Sequence, residues 1–189
     1  FDLAEHDRKE INWNTLNHIY QNLLVYKAYH KLYDFNDMIQ MLIDYDKIPK
    51  FDVVFIDEAQ DLSPLQWKLY DKIKETTKDI YLAGDDDQAI FAWAGADVKK
   101  FIIEEAKEKV LKKSKRVSQV VQAAATSPIT KIRGIKFNKT YEPRSYKGTA
   151  QYISNLGQVD LTKGKWLILT RTKDKAIEIM EELKKKNLY

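Results

Sequence analysis

FDVVFIDEAQDLSP, residues 51–64, holds three signals in a row. Val53-Val54-Phe55-Ile56 is short, apolar and β-branched, and Pro49 sets it off from what precedes it. That pattern predicts a strand buried on both faces of a parallel sheet. Asp57-Glu58-Ala59-Gln60-Asp61 then places acidic side chains at the carboxyl end of that strand. Ser63-Pro64 closes the stretch as a helix start, with Ser as N-cap and Pro in the first turn. Leu65, Leu69 and Ile73 are the expected buried stripe of that helix.

The same alternation extends outward. Ile80-Tyr81-Leu82-Ala83 is a second buried-strand run ending at Gly84, and a helix is expected over Val98–Lys109. Upstream, Trp13, Leu16, Ile19, Tyr20, Leu23 and Leu24 recur at helical spacing within residues 12–32, and a shorter helix fits Phe35 to Ile43. Downstream, Ser118 can cap a helix carrying Val120, Val121 and Ala124. Residues 126–150 read as loop, with Pro128, Gly134, Pro143 and Gly148. A strand over Trp166–Thr170 then precedes a helix with Ile177, Met180 and Leu183 on one face. Strands alternating with helices predict an α/β fold with a mostly parallel sheet.

Composition narrows the chemistry. A chain of 189 residues with 44% hydrophobic and 12% aromatic residues can bury a core and is not of the disordered class. The lack of cysteine excludes a disulfide scaffold, a Cys-ligated zinc site and thiol catalysis. No apolar stretch approaches the roughly 18 residues of a membrane span, so a soluble, intracellular protein is expected. Residues 1–110 carry a net charge of −8 and residues 111–189 a net charge of +12. Carboxylates in the first part can hold a metal ion, and Lys and Arg in the second can neutralise phosphate. The alternative is an uneven spread of charge over solvated faces. With Phe1 at one end and a helical pattern running almost to Tyr189 at the other, the chain reads as a piece of a longer polypeptide.

In open α/β sheets, ligands bind beyond the carboxyl ends of the strands. Two such ends are acidic here: Asp57 to Asp61, and Gly84-Asp85-Asp86-Asp87-Gln88. Asp57 suits Mg²⁺, a hard cation that favours oxygen ligands and keeps several waters. Glu58 can orient or deprotonate a water attacking a phosphate. The plainer alternative makes Asp57, Glu58 and Asp61 caps of the helix beginning at Pro64. Other chemistries find less support. His6, His18 and His30 are too far apart for a local metal cluster, and Asp85-Asp86-Asp87 lacks the alternation and Gly of an EF-hand loop. There is no G-x-S-x-G elbow. Lys184-Lys185-Lys186 reads as a solvated helix end, favourable at the negative pole of the helix dipole.

These residues carry a resemblance. VVFIDEAQDLSPLQ resembles the Walker B segment of superfamily 1 DNA helicases of the UvrD/Rep-like family. LAGDDDQAIFAWAGAD, Leu82 to Asp97, is similar to that family's coupling motif, written GDxxQxIYxWRGA. Asp34-Phe35-Asn36-Asp37-Met38-Ile39 resembles its upstream D-F-x-D segment. Leu111 to Ser118 stands where the family has L-x-x-N-Y-R-S, and Trp166 to Thr172 resembles its I-L-x-R-T strand. The resemblance implies RecA-like parallel-sheet motor domains with flanking helices. Residues 1–109 would be the later part of the first domain, with 1–33 open between that domain and an accessory-domain helix, and residues 110–189 the start of the second.

Residue by residue, the resemblance implies that Asp57 coordinates Mg²⁺ and Glu58 is the catalytic base for ATP hydrolysis. Gln88 senses the γ-phosphate, and Arg116 reaches it as an arginine finger; one more charge in the basic run Lys112–Arg116 is the alternative for Arg116. Trp93, with Phe91, offers a stacking face to single-stranded DNA, sequence-tolerant and contributing about 1–3 kcal/mol per base; core packing is the alternative for Phe91. The implied partners are single-stranded DNA and duplex junctions, with movement from 3′ to 5′. The sequence also departs from the pattern. Ala94 replaces the usual Arg, and Ser114-Lys115 replaces Asn-Tyr. Neither Lys147-Gly148 nor Gly164-Lys165 completes a G-x-x-x-x-G-K-[ST] phosphate loop, since Val159 stands at the first-Gly position of the latter and Trp166 follows it. The expected function is therefore an ATP-driven DNA helicase represented by its middle. The rivals are a catalytically silent nucleic-acid-binding module and the motor of an ATP-dependent nuclease.

Overall fold

The computed structural model describes residues 12–132, 136–137, 139–186 and 188. His6 and Gly134, singled out above, lie outside the described residues.

The centre is one strand–helix–strand unit. β1 (Val53–Ile56) and β2 (Asp79–Leu82) pair in parallel, with Val53 opposite Asp79 and Ile56 opposite Leu82. Parallel neighbours need a crossover connection, and a helix over Pro64–Thr76 supplies it. This helix begins as the sequence predicts. The Ser63 N–H donates to Gln66 Oε1 at 2.8 Å, and the Gln66 N–H donates back to Ser63 Oγ, with Pro64 opening the helix. That reciprocal cap satisfies N–H groups that have no partner within the helix.

Among the described residues two helices precede the unit: α1 (Trp13–His30) and α2 (Phe35–Asp44). They are joined by Lys27, whose Nζ lies 2.9 Å from Asp34 Oδ2 and 2.7 Å from Asp37 Oδ2. His18 and His30 lie on α1. The helix over Pro64–Thr76, α3, packs against α2. After β2 come α4 (Val98–Ile103), α5 (Gln119–Ile129) and α6 (Lys173–Lys185). The core is Ala59, Trp67, Tyr70 and Phe101, with Ile56, Leu62, Ile80, Leu82 and Phe137 packed on it. Trp67 and Tyr70 meet edge to face at 5.2 Å.

Several expectations are corrected. The strands are not buried on both faces: alternate residues are covered, while Val53, Phe55 (77% exposed) and Tyr81 stand on an open face where Phe55 and Tyr81 stack at 4.9 Å. A parallel sheet buries both faces only when elements lie on each, and the described residues cover one. Trp67 and Tyr70, rather than Leu65, Leu69 and Ile73, are the deepest residues of α3. The helix expected to reach Lys109 ends at Ile103, where Glu104 turns to extended backbone and its carboxylate receives the Tyr70 hydroxyl and Lys74. Ser118 occupies the N-cap position of α5, but its side chain makes no capping bond. α5 also takes in Pro128, placed in a loop by the sequence reading. Trp166–Thr170 forms no strand, because no described segment pairs with it. Among the described residues no helix is long and apolar enough to cross a membrane.

Candidate functional site

β1 and β2 end side by side, so their acidic loops become neighbours. Backbone bonds fix the approach: the Ala83 N–H donates to Ile56 O at 2.8 Å, and the Ala59 N–H donates to Ala83 O at 2.9 Å. Asp57 and Glu58 follow β1 directly, both exposed. Glu58 holds a left-handed backbone with φ of 51°. A non-glycine residue there costs on the order of 1–2 kcal/mol, so the turn aims Glu58 at a local cost in stability. Ser63, not an acidic residue of this loop, caps α3, and Glu58 makes no side-chain capping bond with the turn over Ala59–Asp61 that follows it.

Gln60 is the joint between the loops. It is 1% exposed. Its Nε2 donates to Glu58 Oε2 at 2.7 Å and lies 3.3 Å from Asp61 Oδ2, while its Oε1 accepts the Asp85 N–H at 2.9 Å. Asp85 Oδ2 in turn accepts Gln88 Nε2 at 2.6 Å. Gly84 has a steric reason to be glycine: a Cβ there would stand 2.6 Å from Gln60 Oε1 and 2.9 Å from the Phe101 ring.

Lys139 meets the second loop from a distant segment. Its ammonium, on a side chain 7% exposed, lies 2.5 Å from Asp85 Oδ1 and 3.2 Å from Asp87 Oδ2, and it also pairs with Asp86. The Phe137 N–H donates to Asp86 Oδ2 at 3.1 Å. Burial opposes charge on both partners, yet Lys139 is held above the usual lysine range by its bonds to Asp85 and Asp86. Asp85 is held below the usual carboxylate range by Lys139 and Gln88.

The aromatic pair sits beyond this loop. A short turn over Ala92–Ala94 ends at Gly95, whose φ of 94° suits glycine. Trp93 is 67% exposed and Phe91 42% exposed, their rings 6.4 Å apart and tilted by 49°. Arg116 lies on an exposed turn in which Ser114 Oγ accepts the N–H groups of Arg116 and Val117. Among the described residues no ion pair joins Arg116 to Asp57, Glu58 or the aspartates at 85–87. The structure thus brings Asp57, Glu58 and Gln88 into one pair of loops, with Trp93 and Phe91 just beyond, and Arg116 makes no ion pair with them among the described residues.

The donor set fits Mg²⁺ held by few protein ligands. Asp57 offers an exposed carboxylate, one of whose oxygens takes the Glu58 N–H at 2.9 Å. Among the described residues no cluster of three or more His, Cys, Asp or Glu could enclose a metal by itself. A Mg²⁺ ion that keeps its waters and phosphate ligands needs only one or two carboxylates.

Sequence reasoning missed Gln60 and Lys139. Gln60 had a signal, as an amide between carboxylates in a loop at a strand tip. Lys139 had none: it is one of many cations in the basic half and reaches its partners across more than fifty residues of chain.

The family model for the UvrD/REP helicase N-terminal domain matches residues 2–111. ATP-dependent DNA helicase PcrA of Staphylococcus epidermidis is 30% identical over 93 residues, covering 41% of this chain and 13% of that protein. PcrA of Bacillus subtilis is 34% identical over 74 residues, 34% of this chain and 10% of that protein. RecBCD enzyme subunit RecB of Buchnera aphidicola is 33% identical over 102 residues, 48% of this chain and 9% of that protein. The chain spans about a tenth of the length of these relatives. With more than half of its residues matched by the family model, and two acidic loops meeting at adjacent strand tips, the chain belongs to the UvrD/REP helicase family.

Proposed function

We propose that this chain is the central part of an ATP-dependent DNA helicase that moves along single-stranded DNA and opens duplex junctions. In this reading residues 1–109 belong to the first RecA-like motor domain and residues 110–189 open the second. The observation that carries it is the junction of the two loops: the carboxylates after β1 and the glutamine after β2 are joined through Gln60 and Asp85. An isolated acidic cap would need no such link.

The division of labour follows from the side chains. Asp57 would hold Mg²⁺, which neutralises phosphate charge when bound with ATP. Glu58, exposed to water and oriented by its left-handed backbone and the Gln60 amide, takes a proton from the attacking water. Gln88 turns its amide from Asp85 towards the terminal phosphate when one is present. Trp93, with Phe91 beside it, gives a base a face to stack on. Arg116 supplies positive charge to the phosphate on domain closure.

The test is Glu58→Gln in the full-length protein. Loss of the base lowers ATPase activity stimulated by single-stranded DNA by about 10²–10⁴-fold, with nucleotide binding retained. Normal activity in that variant would sink the assignment.

A further inference from the structure

We propose that Gln60 is a positioning residue that ties the catalytic base to the phosphate-sensing loop, so that Glu58 and Gln88 work as one unit. The proposal rests on the reading of those two residues given above. The chain of contacts is short and continuous: Glu58 Oε2 to Gln60 Nε2 at 2.7 Å, Gln60 Oε1 to the Asp85 N–H at 2.9 Å, Asp85 Oδ2 to Gln88 Nε2 at 2.6 Å.

Chemistry gives this amide a single orientation. The Asp85 backbone offers only a donor, so it must meet the Gln60 oxygen; the Glu58 and Asp61 carboxylates accept, so they must meet the Gln60 nitrogen. A flipped amide would set N–H against N–H and oxygen against oxygen. At 1% exposure, Gln60 also has no water to exchange these partners for. A shift of the Asp85 loop therefore either moves the Gln60 amide, and the donor on Glu58 with it, or breaks a buried hydrogen bond. Gly84 belongs to the same device, because only a residue without Cβ lets the Gln60 oxygen come so close to the loop. Gln60 touches neither substrate nor metal in this reading and acts through Glu58.

The experiment is a double-mutant cycle in the full-length protein, read as kcat and KM for ATP with saturating single-stranded DNA. Gln60→Met keeps the volume and removes both polar contacts. Its expected effect is a fall in kcat of about 10–100-fold, the size typical of hydrogen-bond partners that orient the ligands of a metal site, with KM changed by less than about twofold. A further loss on adding Gln88→Ala should be much smaller than Gln88→Ala causes alone. Gln60→Glu, which keeps the acceptor for Asp85 and loses the donor to Glu58, supplies the same readings if the Met variant fails to fold. Additive losses for Gln60 and Gln88, or a change confined to KM or to melting temperature, would overturn the proposal. Glu58→Gln run in parallel separates the failures. If it keeps its ATPase, the functional reading falls and this inference with it. If it is inactive while the Gln60 and Gln88 losses add, only the inference falls.

Discussion

Residues 53–104 and residues 161–185 are written in the same pattern, an apolar β-branched run and then an amphipathic helix, yet they end in different states. In the first, β1 and β2 pair and α3 buries Trp67 and Tyr70 against Ala59 and Phe101. In the second, Trp166–Thr170 has no strand paired with it among the described residues, and of α6 only Leu183 is buried. Leu161, Trp166, Ile168, Met180 and Leu183 instead line an apolar cavity of about 420 Å³. The difference shows what a strand pattern specifies. It sets which residues will be extended and which face will be apolar, but a parallel ladder also needs a second strand, and β1 finds one within its own unit.

The sharpest way to break this comparison is to truncate one large side chain in each region. Trp67→Ala removes a buried indole from the core and should cost about 3–5 kcal/mol. Leu169→Ala, at an exposed position, should stay within about 0.5 kcal/mol. Denaturant unfolding of the full-length protein measures both. Comparable losses would mean that residues 166–170 are packed against something after all.

Lys139→Met probes the tie from the basic half to the Asp85 loop. Removing one partner of a buried pair costs about 3–5 kcal/mol, and here it leaves three carboxylates without their ammonium. The pH dependence has a definite sign. In the parent, Asp85 is held low, so its contribution is present above the ordinary carboxylate range and fades as pH falls through its lowered value. Lys139 is held high, so its contribution is complete below the ordinary lysine range and is lost only as pH rises beyond it. In the variant, burial remains and pushes Asp85 upward, so stability falls as pH rises through the carboxylate range. The variant's melting deficit should therefore be larger at about pH 7 than at about pH 4.5. A deficit that does not change with pH would remove Lys139 from this role.

What could be read from the sequence follows the same division. The tip of β1, the Ser63-Pro64 helix start and the acidic loop after β2 are local, each set by residues within a few positions, and all three are found in place. The end of α4 was not legible, because it depends on Tyr70 and Lys74 arriving from α3 to receive Glu104. The open sheet face was not legible either: Val53 and Phe55 look the same in sequence whether covered or not. At the proposed site, the acidic loops holding Asp57, Glu58 and Gln88 stand out by their position after apolar runs, while the role proposed for Gln88 comes from the family resemblance. Their linkage does not stand out, since Gln60 and Lys139 act across gaps of roughly 25 and more than 50 residues.

Two glycines sharpen the contrast at a smaller scale. Gly84→Ala places a methyl group against Gln60 Oε1 and the Phe101 ring, overpacking that should cost about 1–3 kcal/mol. Gly164→Ala meets nothing within 4 Å, so only its φ of 87° opposes the change, at about 1 kcal/mol. If the proposed function holds, the full-length protein with Gly84→Ala should also lose ATPase, because the change disturbs the Gln60 joint, and with Gly164→Ala should keep it. Melting curves and ATPase assays on the two proteins decide this.

The smallest effect comes from a single hydroxyl. The Tyr70 O–H donates to Glu104 Oε1 at 2.7 Å, in the packed region and at the point where α4 stops. Burial pushes the Tyr70 pKa upward and the bond to Glu104 adds to that rise, so the phenol remains a donor throughout the neutral range. Burial also opposes charge on Glu104, but Lys74 and Tyr70 together hold it below its usual range. Tyr70→Phe removes one of those two supports without opening a cavity, and should cost about 1 kcal/mol. Thr170→Val breaks a hydroxyl bond of similar length, from Oγ1 to Thr172 O at 2.9 Å, but at an exposed site where water can replace it; its cost should be a few tenths of a kcal/mol. Equal costs would show that burial does not separate the two regions at the level of one hydrogen bond. A larger cost for Tyr70→Phe, accompanied by faster amide exchange over Val98–Ile103, would tie the end of α4 to that one contact.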